Sequence, residues 1–157
     1  MIPQRITLVT LGARDLPNLR AFYQRLGWED TPASTDDYCV FTTAGVLLSL
    51  YPYAELAKDA GLDGKWATED GPGGPREAGD AKPSFRGITL AVNVEEPELV
   101  DAAIEQARAA GAVILKEPEQ AFWGGRSAYF ADPEFNVWEV AWNPSAAFDE
   151  SGAMLSF

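Results

Sequence analysis

The chain has 157 residues, 46% of them hydrophobic and 23% charged, which places it among globular domains rather than disordered or fibrous chains. Its formal net charge of −12 leaves no basic face for nucleic acid or an anionic bilayer, so neither is an expected partner. Histidine is absent, which removes Ser–His and Cys–His nucleophile pairs and leaves acid–base work to carboxylates, tyrosine, lysine, Cys39 or the terminal amine.

The opening run ITLVTLG, Ile6–Gly12, is apolar and β-branched and reads as a strand. Asp15 is placed to cap a helix with Pro17 in its first turn, and Leu16, Leu19, Phe22, Tyr23 and Leu26 recur at helical spacing before Gly27. Three short strands are expected next, at Trp28–Thr31, Tyr38–Thr43 and Val46–Tyr51, the last two joined by a tight turn at Ala44-Gly45. Residues 52–86 change character: a short helix fits AELAKDAGL, but the proline- and glycine-rich remainder reads as a flexible loop or a lid.

The pattern then restarts. ITLAVNV, Ile88–Val94, echoes the opening strand, and a helix with Leu99, Ala103, Ile104 and Ala107 on its apolar side ends at Gly111. Strands are expected near Val113–Lys116, Arg126–Ala131 and Val137–Trp142. Each half is thus strand, helix and three strands, and two such units bury one core together. The chain reads as one domain of 1–157, with modules at 6–51 and 87–143, the 52–86 connection between them and a tail at 144–157.

No segment has the roughly 18 apolar residues needed to span a bilayer, and MIPQRITLV lacks the features of a signal peptide. Cys39 is the lone cysteine and reads as a small apolar filler in a strand, so a cytoplasmic location is expected. One residue stands out: Glu139, a carboxylate inside the apolar strand VWEVAW, where an ionisable group needs a partner or a task.

The stretches ITLVTLGARDLPNLRAFYQRLGW and FWGGRSAYFADPEFNVWEVAWNP resemble the vicinal oxygen chelate superfamily, which includes glyoxalases, bleomycin-resistance proteins and extradiol dioxygenases. The second stretch is similar to that family's closing hairpin, although Phe135 stands where the turn commonly carries glycine, which moves any positive φ to Asn136 or another residue. The resemblance implies an α+β fold in which two βαβββ modules form a barrel-like pair of curved mixed sheets enclosing a cavity. It also implies a homodimer and a Glu139 that points into the cavity. The family's other metal-ligand positions fall at Leu8, Ser49 and Gly87. One carboxylate beside leucine, serine and glycine is a poor divalent-cation site, so no metal and no other cofactor is expected.

With Glu139 inward, strand alternation places Val137 and Ala141 beside it, and brings Thr10, Ser49, Tyr51 and Thr89 to the cavity lining. Such a lining suits a small organic molecule, and the acidic balance favours a cationic one. Glu139 has three readings: contact with a ligand amine or guanidinium, a structural pair with Arg126 or Arg5, or a general base whose pKa burial raises. Trp123, ahead of Gly124-Gly125, either closes over a ligand or, with Phe122, plugs a barrel end or a subunit interface, and Arg126 either holds an anionic group or lies on the surface. Metal-free binding of a small molecule is the expected function. The alternatives are an enzyme of glyoxalase or lyase type with Glu139 as base or metal ligand, and an interaction module that has lost its pocket.

Overall fold

The computed structural model describes residues 2–62 and 87–156. The greater part of the expected lid, 63–86, lies outside the described residues.

The first half comprises β1 (Leu8–Ala13), α1 (Leu16–Arg25), β2 (Cys39–Thr42) and β3 (Leu47–Pro52), followed by the short α2 (Tyr53–Asp59). The second comprises β4 (Thr89–Asn93), α3 (Pro97–Ala110), β5 (Val113–Gln120), β6 (Arg126–Ala131) and β7 (Val137–Trp142). The tail folds into a small hairpin, β8 (Ala147–Phe148) with β9 (Met154–Ser156), turned on Asp149, whose Oδ1 accepts from the Ser151 and Ala153 amides. Gly45, in the β2–β3 turn, lies against Ala153, so this hairpin reaches back to the first half.

The repeat is carried by the sheets. In the first, strands run β1-β3-β2 with β1 parallel to β3; in the second, β4-β7-β6-β5 with β4 parallel to β7. The β5 equivalent in the first half is reduced to one bridge, Asp30 to Phe41, where a strand was expected at Trp28–Thr31. Arg20 ties that segment down instead: its Nε donates to Asp30 at 2.6 Å and its Nη1 to the Thr35 carbonyl at 3.0 Å. The fold is α+β with curved mixed sheets, and the sheets are open rather than closed barrels.

Asp15 caps α1 as its sequence position requires, accepting from the Asn18 amide at 3.0 Å, and Leu16, Leu19, Phe22 and Tyr23 form the buried stripe. In α3 the buried stripe is Val100, Ile104, Ala107 and Ala110; Leu99, expected inside, is exposed. Both helices lie on the same side of the molecule's core, where Phe22, Tyr23, Trp28 and Phe41 meet Phe130 and Trp138.

The two halves are joined on this helical side by hydrogen bonds from the β6–β7 turn. Trp138 Nε1 donates to Tyr23 Oη at 3.1 Å, and Tyr23 Oη donates to Asp132 Oδ2 at 2.7 Å. Asp132 also accepts from the Asn136 amide group at 2.8 Å and from the backbone N–H groups of Glu134 and Asn136, both at 2.9 Å. Two residues on, Glu134 Oε1 accepts from the Arg14 and Asp15 amides at the start of α1, each at 2.8 Å. Burial pushes the Asp132 carboxyl up, against the pull of Asn136 and Tyr23, and drives the Tyr23 phenol well above its ordinary value. The positive φ of this turn falls on Phe135 itself, at 59°, and not on Asn136.

Removing Asp132 leaves a buried hydroxyl and several amides without an acceptor. Asp132→Ala is expected to cost roughly 3 kcal/mol of folding stability. Asp132→Asn keeps one acceptor for the turn but turns N–H groups toward Tyr23 and Asn136, so its loss falls in between. Urea midpoints at constant m-value measure both.

Candidate functional site

A sheet with helices on one face has another face to spare. In β7, Trp138 and Val140 go into the core and Val137, Glu139 and Ala141 take the opposite side. Pairing with β4 and β6 builds three rows on that side: Thr89–Val137–Ala131, Ala91–Glu139–Tyr129 and Asn93–Ala141–Ser127. Glu139 is therefore at the centre of a patch of mostly small side chains, and it is half-buried rather than enclosed.

Its partner is Tyr129, directly opposite across the hairpin, which donates from Oη to Glu139 Oε1 at 2.7 Å. Arg126 and Arg5, the partners considered from sequence, do not fill this role. The bond to the carboxylate, aided by desolvation, raises the Tyr129 phenol to about 12. Tyr129 thus stays protonated across the whole physiological range. Lys116, next along the row on β5, lies 5.8 Å from the Tyr129 ring centroid while its Nζ pairs with Glu119 at 2.8 Å.

The first sheet carries a neutral counterpart. Thr10 and Ser49 are opposite each other in β1 and β3, with their hydroxyl oxygens 2.7 Å apart, and Ser49 is fully buried. Tyr51, on the same face, meets Tyr38 edge-on at 5.9 Å between centroids. Gly12 completes the row beside Tyr51; a β-carbon there would press on Tyr53 and Leu56, so its lack of a side chain lets α2 pack across this end.

Of the residues expected to line a site, Thr89 and Glu139 share the face of the second sheet, and Thr10, Ser49 and Tyr51 share that of the first. Arg126 is on the helix side of β6, where both nitrogens of its fork reach Asp101 of α3 at 2.6 Å and hold that carboxylate below the usual range. Trp123 sits in the β5–β6 turn, 42% exposed, folded back over Gly125, while its neighbour Phe122 is fully exposed. Sequence reasoning missed Tyr129. Counting equal numbers of residues back from the Asp132–Asn136 turn would have set it opposite Glu139.

The positions that match metal ligands by resemblance do not fit a cation. Leu8 and Gly87 carry no donor atom, and the Ser49 hydroxyl is buried against Thr10. Among the described residues no three Asp, Glu, Cys or His side chains gather at one point.

Two repeated modules, each with its first and last strands parallel and one helix, α1 or α3, over its core face, define a paired-module α+β protein. The chain belongs to the glyoxalase/bleomycin resistance protein/dioxygenase superfamily, whose sequence model matches residues 5–140. Among solved structures it is similar to a glyoxalase-related enzyme from Fulvimarina pelagi, at 24% identity over 99% of each chain with a TM-score of 0.80. A glyoxalase/bleomycin resistance protein/dioxygenase from Nocardioides is 24% identical over 100% of this chain and 91% of that one, with a TM-score of 0.67. A lactoylglutathione lyase from Agrobacterium tumefaciens is 17% identical over 91% and 96%, with a TM-score of 0.58. At these identities the likeness is one of fold. No curated protein matches the chain in sequence. No helix among the described residues is long and apolar enough to cross a membrane.

Two measurements check this geometry. In an ultraviolet pH titration of the five tyrosines, Tyr129 is expected to ionise at about 12, and Glu139→Gln to bring it back toward its ordinary value. Because the folded-state value is the higher one, the stability this bond adds is present below the ordinary tyrosine range and is lost as pH rises through about 12. At Gly125, a β-carbon would collide with the Trp123 indole and the Trp142 carbonyl oxygen. Gly125→Ala is expected to expel the indole, red-shift its fluorescence and cost about 2 kcal/mol in a thermal melt.

Proposed function

We propose that this protein binds a small organic molecule against the open faces of its sheets, without a metal and without catalysing a reaction. The observation that supports this most is the Tyr129–Glu139 pair. It is a fixed hydrogen-bonding pair, half-buried, on a face whose β4 flank is accessible, Ala91 and Thr89 being exposed, and whose β6 flank, Ser127, is buried. Thr10 and Ser49 offer a neutral polar pair on the other sheet.

A second copy of the chain completes the site in this reading. Leu8 and Leu47 are adjacent on the open face of the first sheet and are 42% and 39% exposed, and Ile6 and Ile88 stand exposed just before β1 and β4. Apolar side chains on an uncovered sheet face gain from burial in a dimer. The single, fully buried cysteine is in keeping with a cytoplasmic protein.

One observation favours a second reading, an enzyme of glyoxalase or lyase type. Among the described residues Glu139 Oε2 has no hydrogen-bond or ion-pair partner, which leaves an acceptor within reach of a bound substrate. In that reading Glu139→Gln lowers turnover ~10²-fold or more.

Native mass spectrometry of the freshly purified, tag-free protein separates the two. Binding predicts a dimer mass without a divalent ion, a retained or added organic mass, and ligand quenching of tryptophan fluorescence that survives chelator. One divalent ion per chain, removable by chelator together with activity, would overturn it in favour of the enzyme.

A further inference from the structure

We infer that Tyr129 and Glu139 together form a subsite for a cationic nitrogen that carries at least two N–H donors, such as a primary ammonium, an amidinium or a guanidinium. This rests on the binding reading above and names the chemical group that the second sheet selects.

The argument is one of donors and acceptors. The Tyr129 hydroxyl has a single proton, and it is spent on Glu139 Oε1 at 2.7 Å. What remains for a ligand is lone pairs only: those of the phenol oxygen and of Glu139 Oε2, the latter without a partner among the described residues. The pair carries one negative charge, and among the described residues no lysine or arginine nitrogen comes within ion-pair distance of Glu139. The nearest cation on the row, Lys116, is taken by Glu119. An acceptor-only, anionic pair rewards a group that brings both positive charge and N–H bonds. It repels carboxylates and phosphates, and it gives a quaternary ammonium the charge without the hydrogen bonds.

The surroundings agree. Ala91 flanks Glu139 on β4, and Ala141 and Val137 flank it along β7, so nothing bulky stands over Oε2 from those strands. The Tyr129 ring is half-buried on the other flank with Lys116 Nζ over it, 5.8 Å from the centroid, so the subsite holds its ligand through the lone pairs of the pair and not by stacking on the ring. The phenol is also what holds the carboxylate in place, which makes Tyr129 a specificity-determining residue and not only a support.

The test titrates the full-length protein with four probes, benzamidinium, benzyltrimethylammonium, benzoate and benzyl alcohol, following backbone amide shifts by NMR. Benzamidinium is expected to bind best, with shifts centred on Ala91, Ser127, Tyr129 and Glu139. Glu139→Gln weakens it about tenfold or more. Tyr129→Phe keeps the charge but removes the fixed geometry, so the preference of benzamidinium over benzyltrimethylammonium collapses while the latter's affinity holds. Thermal melts of both variants confirm that they are folded. The inference is overturned if benzoate binds these residues as tightly, if neither substitution changes benzamidinium binding, or if benzamidinium shifts only the Thr10–Ser49 face. In that last case the binding reading stands without this subsite. If none of the four probes shifts either face at millimolar concentration, the binding reading itself fails and takes the inference with it.

Discussion

A buried carboxylate with no cation beside it among the described residues is the constraint on which this structure turns. Asp132 is fully buried, and its oxygens are satisfied by four donors: the Tyr23 phenol, the Asn136 side chain and two backbone amides of its own turn. Neutral donors offset the desolvation of such a group only when all of them are present and aimed. The turn is thus shaped around Asp132, with Phe135 driven to a positive φ to bring the Asn136 amide home. Because one donor comes from α1 and that donor in turn accepts from Trp138, the same network sets the angle between the halves. Glu134 adds a second tie by capping the opposite half's helix, and Gln106 and Arg25 a third and fourth, through the Leu26 and Ala110 carbonyls.

That arrangement decides which sheet faces lie away from the core. With α1, α3 and the aromatic cluster of Tyr23, Trp28, Phe41, Phe130 and Trp138 gathered on one side, the sheets' other faces are covered only in part. Ser49, Ser127, Ala131 and Ala141 are buried there, whereas Leu8, Leu47, Thr89 and Ala91 are exposed and Tyr129 and Glu139 half-buried. The period of two along each strand does the sorting. Trp138 and Phe130 stack with centroids 6.2 Å apart on the core side, while their sequence neighbours Glu139 and Tyr129 meet on the open side. One residue of register slip would exchange the core for the site, so the packing that holds the fold also guards the pair.

Much of this was legible in the sequence, and the failures have physical causes. The strands β6 and β7 end where apolar alternation ends, and the α1 cap and buried stripe follow from Asp15 and the spacing of Leu16, Leu19, Phe22 and Tyr23. The paired modules could be read because each half repeats the same order of elements; the ITL echo is out of step with it, since Leu8 takes the open face and Leu90 packs against the core. Trp28–Thr31 misled because its β-prone residues are claimed by other interactions: Trp28 joins the aromatic core, and Asp30 is held by Arg20. Leu99 and Val100 are adjacent on α3, and hydrophobicity alone does not tell which of them faces the sheet. Arg126 reads as a site residue because it follows Gly124-Gly125, whereas only Ser127 and Ala128 stand between it and Tyr129, an odd offset of three that puts it on the other face of β6, against Asp101. Tyr129 itself was invisible to a search for charged groups, since its role comes from what lies opposite and not from what it is.

The two sheets, laid over each other by their shared strand order, show how one fold has been filled in two ways. The central row of the first reads Thr10–Ser49–Val40, and the matching row of the second reads Ala91–Glu139–Tyr129. Ser49 and Glu139 occupy the same place in their modules, and each has found a hydroxyl partner, but on opposite sides: Thr10 on the parallel neighbour, Tyr129 on the antiparallel one. The first pair is neutral: one hydroxyl donates to the other across 2.7 Å, and Ser49 is fully buried. The second is anionic and left open, with acceptor capacity to spare. A structural pair gains nothing from unspent acceptors on a half-exposed carboxylate, whereas a recognition site needs them. That asymmetry is what supports the proposed role of a glutamate in the middle of an apolar strand: Tyr129 holds one of its oxygens, and in that proposal the other is left for a ligand.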